Sequence, residues 1–171
     1  VEYLEAHPEV GVLGTWVEEV DEDGTPLGIW RMPTTPALIG WFLMFGNCIA
    51  HPSILMRRDI IGRLGFYRGA VAEDYDLWAR AISVTRIVNL PEVLLRYRSR
   101  AESGSHRLFE SQEQTVLEVM HSMIAQLLGS EVPAEVTASL RQMVTGSSLD
   151  RLQQIEPVAR LMQQLYRAYL K

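Results

Sequence analysis

The sequence lacks several features that define common classes of protein. A single cysteine, Cys48, excludes an intrachain disulfide framework and a cysteine-rich zinc site, and it fits a reducing compartment. We expect this thiol to be a small buried hydrophobe. The longest apolar stretch, ALIGWFLMFG running on to Asn47, is shorter than the roughly 20 residues of helix that cross a bilayer.

Positive charge is also scarce. The formal net charge is -5 at pH 7 and the sequence pI is about 5.4, which argues against a nucleic-acid partner because such proteins carry a basic stripe. What is present, 171 residues with 47% hydrophobic and 22% charged content, describes a soluble globular domain that can bury a core. We expect it to be cytoplasmic, with membrane association as an alternative.

The N-terminal sequence VEYLEAHPEV has no basic leader and begins without Met in the middle of a helical pattern. The chain is therefore expected to be an excised piece of a longer protein. The break at His7-Pro8 is followed by an apolar strand over 10–20, and Asp23-Gly24 predicts a hairpin into a second strand over 27–30. Thr35 then predicts the N-cap of a helix.

The next segments predict further strands and helices. HPSILMRR reads as a strand, RDIIGRLGFY as a short helix that ends at Gly65, and AEDYDLWARAIS as a longer helix. RIVNLPEVLLRYR predicts two strands split by Pro91. After a flexible joint at AESGS, three helices are expected at about 108–128, 133–144 and 149–170, packed on the sheet or on a partner.

The segment AEDYDLWAR places Glu73, Asp74 and Asp76 within four positions. A helix N-terminus favours acids because its dipole and free N–H groups attract anions, so a solvated helix start explains the charges. It does not explain the accompanying Tyr75 and Trp78. In a helix, Glu73 and Asp76 point away from the direction of Asp74.

Four separated segments of the sequence, one of which contains these acids, share a resemblance to one protein family. GNCIAHPSILMRRDIIGRLGFY, AEDYDLWARA and NLPEVLLRYR, after the VEYLEAHPEV segment, together resemble the second, acceptor-side half of the GT-A domain of family 2 glycosyltransferases. These inverting enzymes transfer a sugar from a nucleotide sugar to an acceptor hydroxyl. The resemblance covers residues 1–105 and leaves 106–171 as a helical tail. It implies an α/β fold, with a partial GT-A-like mixed sheet, flanking helices and a helical C-terminal tail.

The resemblance also implies roles for individual residues. Its Glu-Asp pair falls on Glu73 and Asp74, with Asp74 as the general base that takes the proton of the acceptor hydroxyl. Trp78 would form an apolar wall for a sugar ring, or would simply pack in the core. Asn47 and His51 belong to a matching block and are expected in the substrate groove, or as residues that position its loop.

The donor side of the mechanism is not expected in this chain. Asp21 and Asp23 resemble the Asp-x-Asp motif that binds Mg²⁺ or Mn²⁺, but Gly24 places them at a hairpin tip. In the family that the chain resembles, the metal-binding acids lie before the helix that VEYLEAHPEV completes. The resemblance therefore implies a divalent cation in the intact enzyme, none in this chain, and no nucleotide-binding half here. Arg100 stands where related enzymes often have a histidine and could clamp a diphosphate, whereas His106 is expected to be solvated.

Three functions follow from these patterns. The first is the acceptor side of an inverting hexosyltransferase in polysaccharide biosynthesis, whose partners are a nucleotide-sugar donor and a sugar or lipid-linked acceptor. The second is a non-catalytic module that binds carbohydrate or protein, and the third is an assembly domain built on the helical tail. The isolated chain is expected to be inactive and to form homo-oligomers, because a missing half would uncover a strand edge at VGVLGTWV and HPSILM.

Overall fold

The computed structural model describes residues 1–69, 71–99, 109–146 and 152–171, and it has the predicted α/β class. No helix in these ranges is both long and apolar enough to cross a membrane. The elements in chain order are α1 (Glu2–Ala6), β1 (Val10–Val20), β2 (Pro26–Trp30), α2 (Pro36–Leu43), a 3₁₀ turn (His51–Ser53), β3 (Leu55–Met56), α3 (Arg58–Leu64), α4 (Glu73–Ala81), β4 (Arg86–Arg98), α5 (Phe109–Leu128), α6 (Ala134–Val144) and α7 (Leu152–Tyr169).

Several local signals are confirmed at the residues that carry them. Thr35 caps α2, since its Oγ1 accepts a hydrogen bond of 3.3 Å from the backbone N–H of Leu38. Gly65 ends α3 with a φ of 73°, a conformation that glycine adopts without strain. The hairpin turn contains Gly24 with a φ of 89°, and the three tail helices begin and end within a few residues of their predicted bounds.

The sheet is built around β1. β4 pairs parallel with β1 along its whole length, while β2 and β3 pair antiparallel with its two ends, at 17–20 and 12–13. Because β4 occupies one edge of β1 throughout, β2 and β3 share the other edge. The expected uncovered edge at VGVLGTWV is therefore wrong for Val12, Leu13 and Val17, which are paired on both sides, and β1 is buried along most of its length.

The predicted division of the last strand at Pro91 is also wrong. β4 continues from Arg86 to Arg98, and its register against β1 slips so that Leu90 pairs with Thr15 but Val93 pairs with Trp16. Two residues, Pro91 and Glu92, therefore fall outside the regular pairing. A bulge of this kind accommodates proline, which has no N–H to donate to the ladder.

The segment HPSILMRR is mostly not a strand. His51–Ser53 forms a 3₁₀ turn, and only Leu55–Met56 pairs with β1. Pro52 cannot donate to a strand ladder, and the Ser53 hydroxyl donates instead to the Ala50 carbonyl oxygen at 2.8 Å. This turn, rather than a strand, places His51 near the N-terminus of α4.

The tail helices share one hydrophobic core with α2 and α4, and the same buried cluster includes Val12 of β1 and Ile87 of β4. The buried side chains that α2, α4 and the three tail helices contribute include Ile39, Leu43, Trp78, Met120, Ile124, Leu140 and Leu165. At the end of α7, the Tyr169 ring lies 5.3 Å from the ring of Trp41 in α2, and its hydroxyl donates to the Ala37 carbonyl oxygen. The tail helices therefore pack against the buried side of α4.

Candidate functional site

A cavity of about 390 Å³ lies beside the first turn of α4. Its walls come from that turn, from the loop and 3₁₀ turn before β3, from the ends of β2 and β4, and from the start of α5. The residues that line it are Trp30, Met32, Asn47, Ile49, Ala50, His51, Pro52, Ala72, Glu73, Asp74, Tyr97 and Gln112. The cavity thus brings together four of the six residues that the sequence analysis selected.

The Asp74 carboxylate is held in this cavity by two hydrogen bonds. Its Oδ2 accepts from the Asn47 side-chain amide at 2.8 Å, and its Oδ1 accepts from the Tyr75 backbone N–H at 2.8 Å. The Asn47 amide is oriented in turn, because its Oδ1 accepts from the Ile49 backbone N–H at 3.0 Å. A carboxylate oriented in this way can accept a proton from a bound hydroxyl group.

The start of α4 explains why Glu73 also faces the cavity. Ala72 precedes the helix with a φ of 50°, in the left-handed region that costs a non-glycine residue roughly 1–2 kcal/mol. Glu73 is the first helical residue, and it lines the same cavity as Asp74. Glu73 and Asp74 therefore border the same cavity, although neighbouring positions of a helix diverge in direction.

Asp76 has a different role from its two neighbours. It forms an ion pair of 2.7 Å with Arg80, one turn later in α4. Arg80 also donates to the backbone carbonyl oxygens of Leu64 and Phe66. Asp76 therefore helps to fix α4 against the end of α3.

Trp78 is fully buried, which favours the core-packing alternative over a sugar wall. A ring with no exposed surface offers no face to a ligand. The Trp78 and His51 rings lie 5.9 Å apart between centroids in an edge-to-face arrangement, and the Trp78 Nε1 is a buried donor with no partner in the described part of the chain. The role of Trp78 here is to support His51 from the core side.

His51 lines the cavity and is fixed from two sides. In addition to its contact with Trp78, its Nε2 lies 2.9 Å from the Tyr67 hydroxyl. Burial raises the pKa of Tyr67, and the negative charges of Asp74 and Glu73 raise it further. Tyr67 is therefore a neutral hydroxyl at pH 7, next to the acidic side of the cavity.

Two aromatic residues of the cavity, Trp30 and Tyr97, were not predicted from the sequence. Their rings lie 5.0 Å apart at an angle of 41°. A signal for them exists in the register of the sheet, because Trp30 pairs with Val17 and Tyr97 pairs with Glu19 on the same face of β1. That register depends on the parallel pairing of β4, which the sequence does not specify.

The charge of the cavity is negative. Its lining includes Glu73 and Asp74, and none of the described residues in the lining is Arg or Lys. Such a site suits a neutral, hydroxyl-rich ligand better than a diphosphate, which needs positive charge nearby. Arg100, the predicted diphosphate clamp, and His106 lie outside the described residues.

The hairpin acid Asp21 is bound to its own turn rather than free for a metal ion. Asp21 Oδ1 accepts from the backbone N–H groups of Asp23 at 3.0 Å and Thr25 at 2.7 Å, and hydrogen bonds to this turn lower its pKa. The carboxylate thus stabilises the turn, as the hairpin prediction implies. Within residues 1–69, 71–99, 109–146 and 152–171, no three His, Cys, Asp or Glu side chains cluster in a way that could hold a metal ion.

Comparison with known proteins shows similarity to glycosyltransferases. The chain is 33% identical over 109 residues to the amylovoran biosynthesis glycosyltransferase AmsE of Erwinia amylovora, a match that covers 63% of this chain and 41% of that protein. It is 33% identical over 99 residues to the O-antigen biosynthesis glycosyltransferase WbnJ of Escherichia coli, covering 56% of this chain and 39% of that protein.

A further relative, an uncharacterized glycosyltransferase of Haemophilus influenzae, is 24% identical over 139 residues, covering 75% of this chain and 43% of that protein. The chain thus spans about two fifths of the length of the curated relatives that it matches. No family model matches the chain. The relatives support a glycosyltransferase family, which agrees with the resemblance seen in the sequence.

Proposed function

We propose that this chain carries the acceptor side of an inverting glycosyltransferase with a GT-A fold, with Asp74 as the general base. The observation that carries the proposal is the Asp74 carboxylate, which the Asn47 amide holds at 2.8 Å in a cavity without lysine or arginine among its described lining residues. The named relatives are glycosyltransferases, and two of their names refer to the biosynthesis of amylovoran and O-antigen. We extend that class of reaction, sugar transfer in polysaccharide biosynthesis, to this chain.

The proposed reaction needs one carboxylate on the acceptor side. The acceptor oxygen forms a bond to the anomeric carbon while the bond from that carbon to the nucleoside diphosphate breaks. The proton of the acceptor hydroxyl passes to an oxygen of Asp74, and the diphosphate leaves with the bonding electron pair. A positioned base of this kind typically contributes about 10²–10⁴-fold to the rate.

The remaining parts of the enzyme are proposed to lie outside this chain. They are the nucleotide-binding half and the groups that hold a divalent cation, Mg²⁺ or Mn²⁺, beside the departing diphosphate. The described residues do not form a cation site, so we assign no step of this chain's chemistry to the cation. The isolated 171-residue chain is then expected to catalyse no transfer.

Asp74→Asn in the complete reading frame of the gene tests the assignment. The substitution keeps the size of the side chain but removes the proton acceptor, so turnover should fall by about 10²–10⁴-fold with little change in donor affinity. Initial rates and calorimetric titration of the donor nucleotide measure the two effects. Asp59→Asn is the matched control, because Asp59 pairs with Arg63 on the surface of α3. Turnover near the wild-type value in Asp74→Asn would show that Asp74 is not the base. Absence of transfer by the wild-type complete protein would favour a non-catalytic carbohydrate-binding module.

A further inference from the structure

Three neighbouring strands place side chains on one face of the sheet beside the cavity. Glu19 of β1 pairs with Tyr97 of β4, and Val17, two residues earlier on the same face, pairs with Trp30 of β2. Residues paired across strands point to the same side, so Trp30, Glu19 and Tyr97 share that face. Both aromatic rings reach the cavity that contains Asp74.

The two rings are held in position before any ligand binds. The Trp30 Nε1–H donates a hydrogen bond of 2.9 Å to Glu19 Oε2, which fixes the plane of the indole. The Tyr97 ring packs against it at 5.0 Å between centroids. Both side chains are only partly buried. The result is a preformed aromatic surface in the wall of a cavity that also contains polar side chains.

We propose that Trp30 and Tyr97 form a platform that binds the pyranose ring of the acceptor sugar, with the C–H face of the ring stacked on the aromatic surface. The proposal rests on the proposed function and names two substrate-binding residues for it. Aromatic faces carry partial negative charge and attract weakly positive C–H groups, and sugars expose such groups on one side of the ring.

The composition of the cavity determines which ligand fits. Hydroxyl groups at the rim of a stacked sugar would meet Asp74, Glu73, Asn47 and Gln112, all of which line the cavity. A few polar groups beside an apolar wall are typical of small-molecule sites that fix orientation. A nucleobase also stacks on aromatic rings, but the diphosphate next to it would lie against Glu73 and Asp74. The platform therefore suits the acceptor and not the donor.

Binding of a simple glycoside to the 171-residue chain tests the platform without requiring catalysis. The probe is methyl β-D-galactopyranoside, which carries adjacent C–H groups on one face of its ring, followed by saturation-transfer NMR and titration. Saturation should be strongest at the protons of that face. Binding should weaken about tenfold or more in Trp30→Ala and in Tyr97→Ala, a change of about 1.4 kcal/mol.

Two further variants distinguish loss of the aromatic contact from misfolding of the chain. Trp30→Phe keeps an aromatic ring without the indole N–H and should bind with intermediate affinity. Tyr166→Ala removes an exposed aromatic residue of α7, with 58% of its surface accessible, and should bind as the wild type does. Wild-type affinity in both Trp30→Ala and Tyr97→Ala would overturn the platform, as would failure of the glycoside to bind the wild-type chain or its displacement by uridine.

The platform and the catalytic base can fail separately. Asp74→Asn should weaken glycoside binding less than Trp30→Ala or Tyr97→Ala does, because both rings stay in place and the asparagine side chain can still accept a hydrogen bond from a sugar hydroxyl. If glycoside binding does not depend on the rings while Asp74→Asn still abolishes transfer in the complete protein, the platform is wrong and the base assignment stands. If glycoside binding depends on the rings and Asp74→Asn retains full turnover, the platform stands and the base assignment is wrong.

Discussion

The side-chain amide of Asn47 donates a hydrogen bond of 2.8 Å to the carboxylate of Asp74, across 27 positions of the chain. This contact joins the loop after α2 to the first turn of α4. The same amide group accepts from Ile49 N–H, so its nitrogen is directed at Asp74 by its own loop. Asn47 is therefore a positioning residue for the proposed base.

Substitution of Asn47 should lower turnover in the complete protein. Asn47→Ala removes the bond that orients Asp74, and we expect about a tenfold loss, the effect of a hydrogen bond worth roughly 1–1.5 kcal/mol. Asn47→Asp keeps an acceptor for Ile49 N–H but places a second carboxylate against Asp74. Its loss should be larger, and the acidic limb of its rate profile should move to higher pH because the two carboxylates repel each other.

Initial rates measured from about pH 5 to about pH 9 give both the loss of turnover and the shift of the acidic limb. Gln114→Ala is the control, since Gln114 forms an exposed hydrogen bond with Glu118 within α5. Identical pH profiles for Asn47→Asp and the wild type would show that Asn47 has only a structural role.

The ion pair between Arg141 of α6 and Glu113 of α5 should stabilise the fold in a pH-dependent way. The guanidinium donates to both carboxylate oxygens, at 2.6 and 3.0 Å, and also to the Phe45 carbonyl oxygen at 3.2 Å. Glu113→Gln should lower the free energy of unfolding by about 1–2 kcal/mol at pH 7, because partly buried charged hydrogen bonds are lost. Chemical denaturation measures the change.

The sign of the pH dependence follows from the direction of the pKa shift. Hydrogen bonds from Arg141 lower the pKa of Glu113 below its ordinary value of 4.5. The stabilisation is therefore fully present above that value and declines as the pH falls through the lower pKa of the folded state. The exposed pair of Glu156 and Arg160 provides the control, and Glu156→Gln should change stability by only a few tenths of a kcal/mol. A constant difference between wild type and Glu113→Gln down to pH 3, roughly a unit below an ordinary carboxylate pKa, would contradict this account.

Cys48 should be unreactive while the chain is folded. Burial raises its pKa from 9.0 to about 12, and its Sγ donates a hydrogen bond of 3.7 Å to the Ile39 carbonyl oxygen. Alkylation by iodoacetamide should be slow at neutral pH and should become fast in urea, as mass spectrometry can follow. Fast alkylation of the native chain would show that the thiol is accessible.

The same thiol should weaken the fold at high pH. Because its folded pKa is raised, its contribution to stability is present below pH 9.0 and is lost as the pH rises toward about 12. The difference in unfolding free energy between the wild type and Cys48→Ala should therefore change over that interval. A difference that stays constant would contradict the linkage.

Local sequence signals determined most of the elements but not how they pair. The cap at Thr35, the positive φ at Gly65 and the turn at Gly24 are decided within a few residues, and each was predicted. The parallel pairing of β4 with β1 and the bulge at Pro91 depend on contacts between residues about 75 positions apart, which no short pattern encodes.

In the site, too, the sequence predicted individual residues but not the contacts between distant ones. The link from Asn47 to Asp74 joins two blocks that the sequence analysis had already selected, although their contact was not visible in the sequence. Trp30 was missed because only the register of β2 and β4 on β1 brings it beside Tyr97. Trp78 could be assigned to the core only after the tail helices were found behind α4.

The core that α4 shares with the tail helices makes the site sensitive to distant changes. Met120 and Ile124 of α5 belong to the same buried cluster as Trp78, which lies one turn after Asp74 on α4. Loss of those side chains would leave the back of α4 exposed, and the helix would exchange its amide hydrogens faster without any change in the cavity's own residues. In this protein the rigidity of the helix that carries the carboxylate also depends on the opposite side of that helix, so random substitutions that impair the site should also fall within the tail.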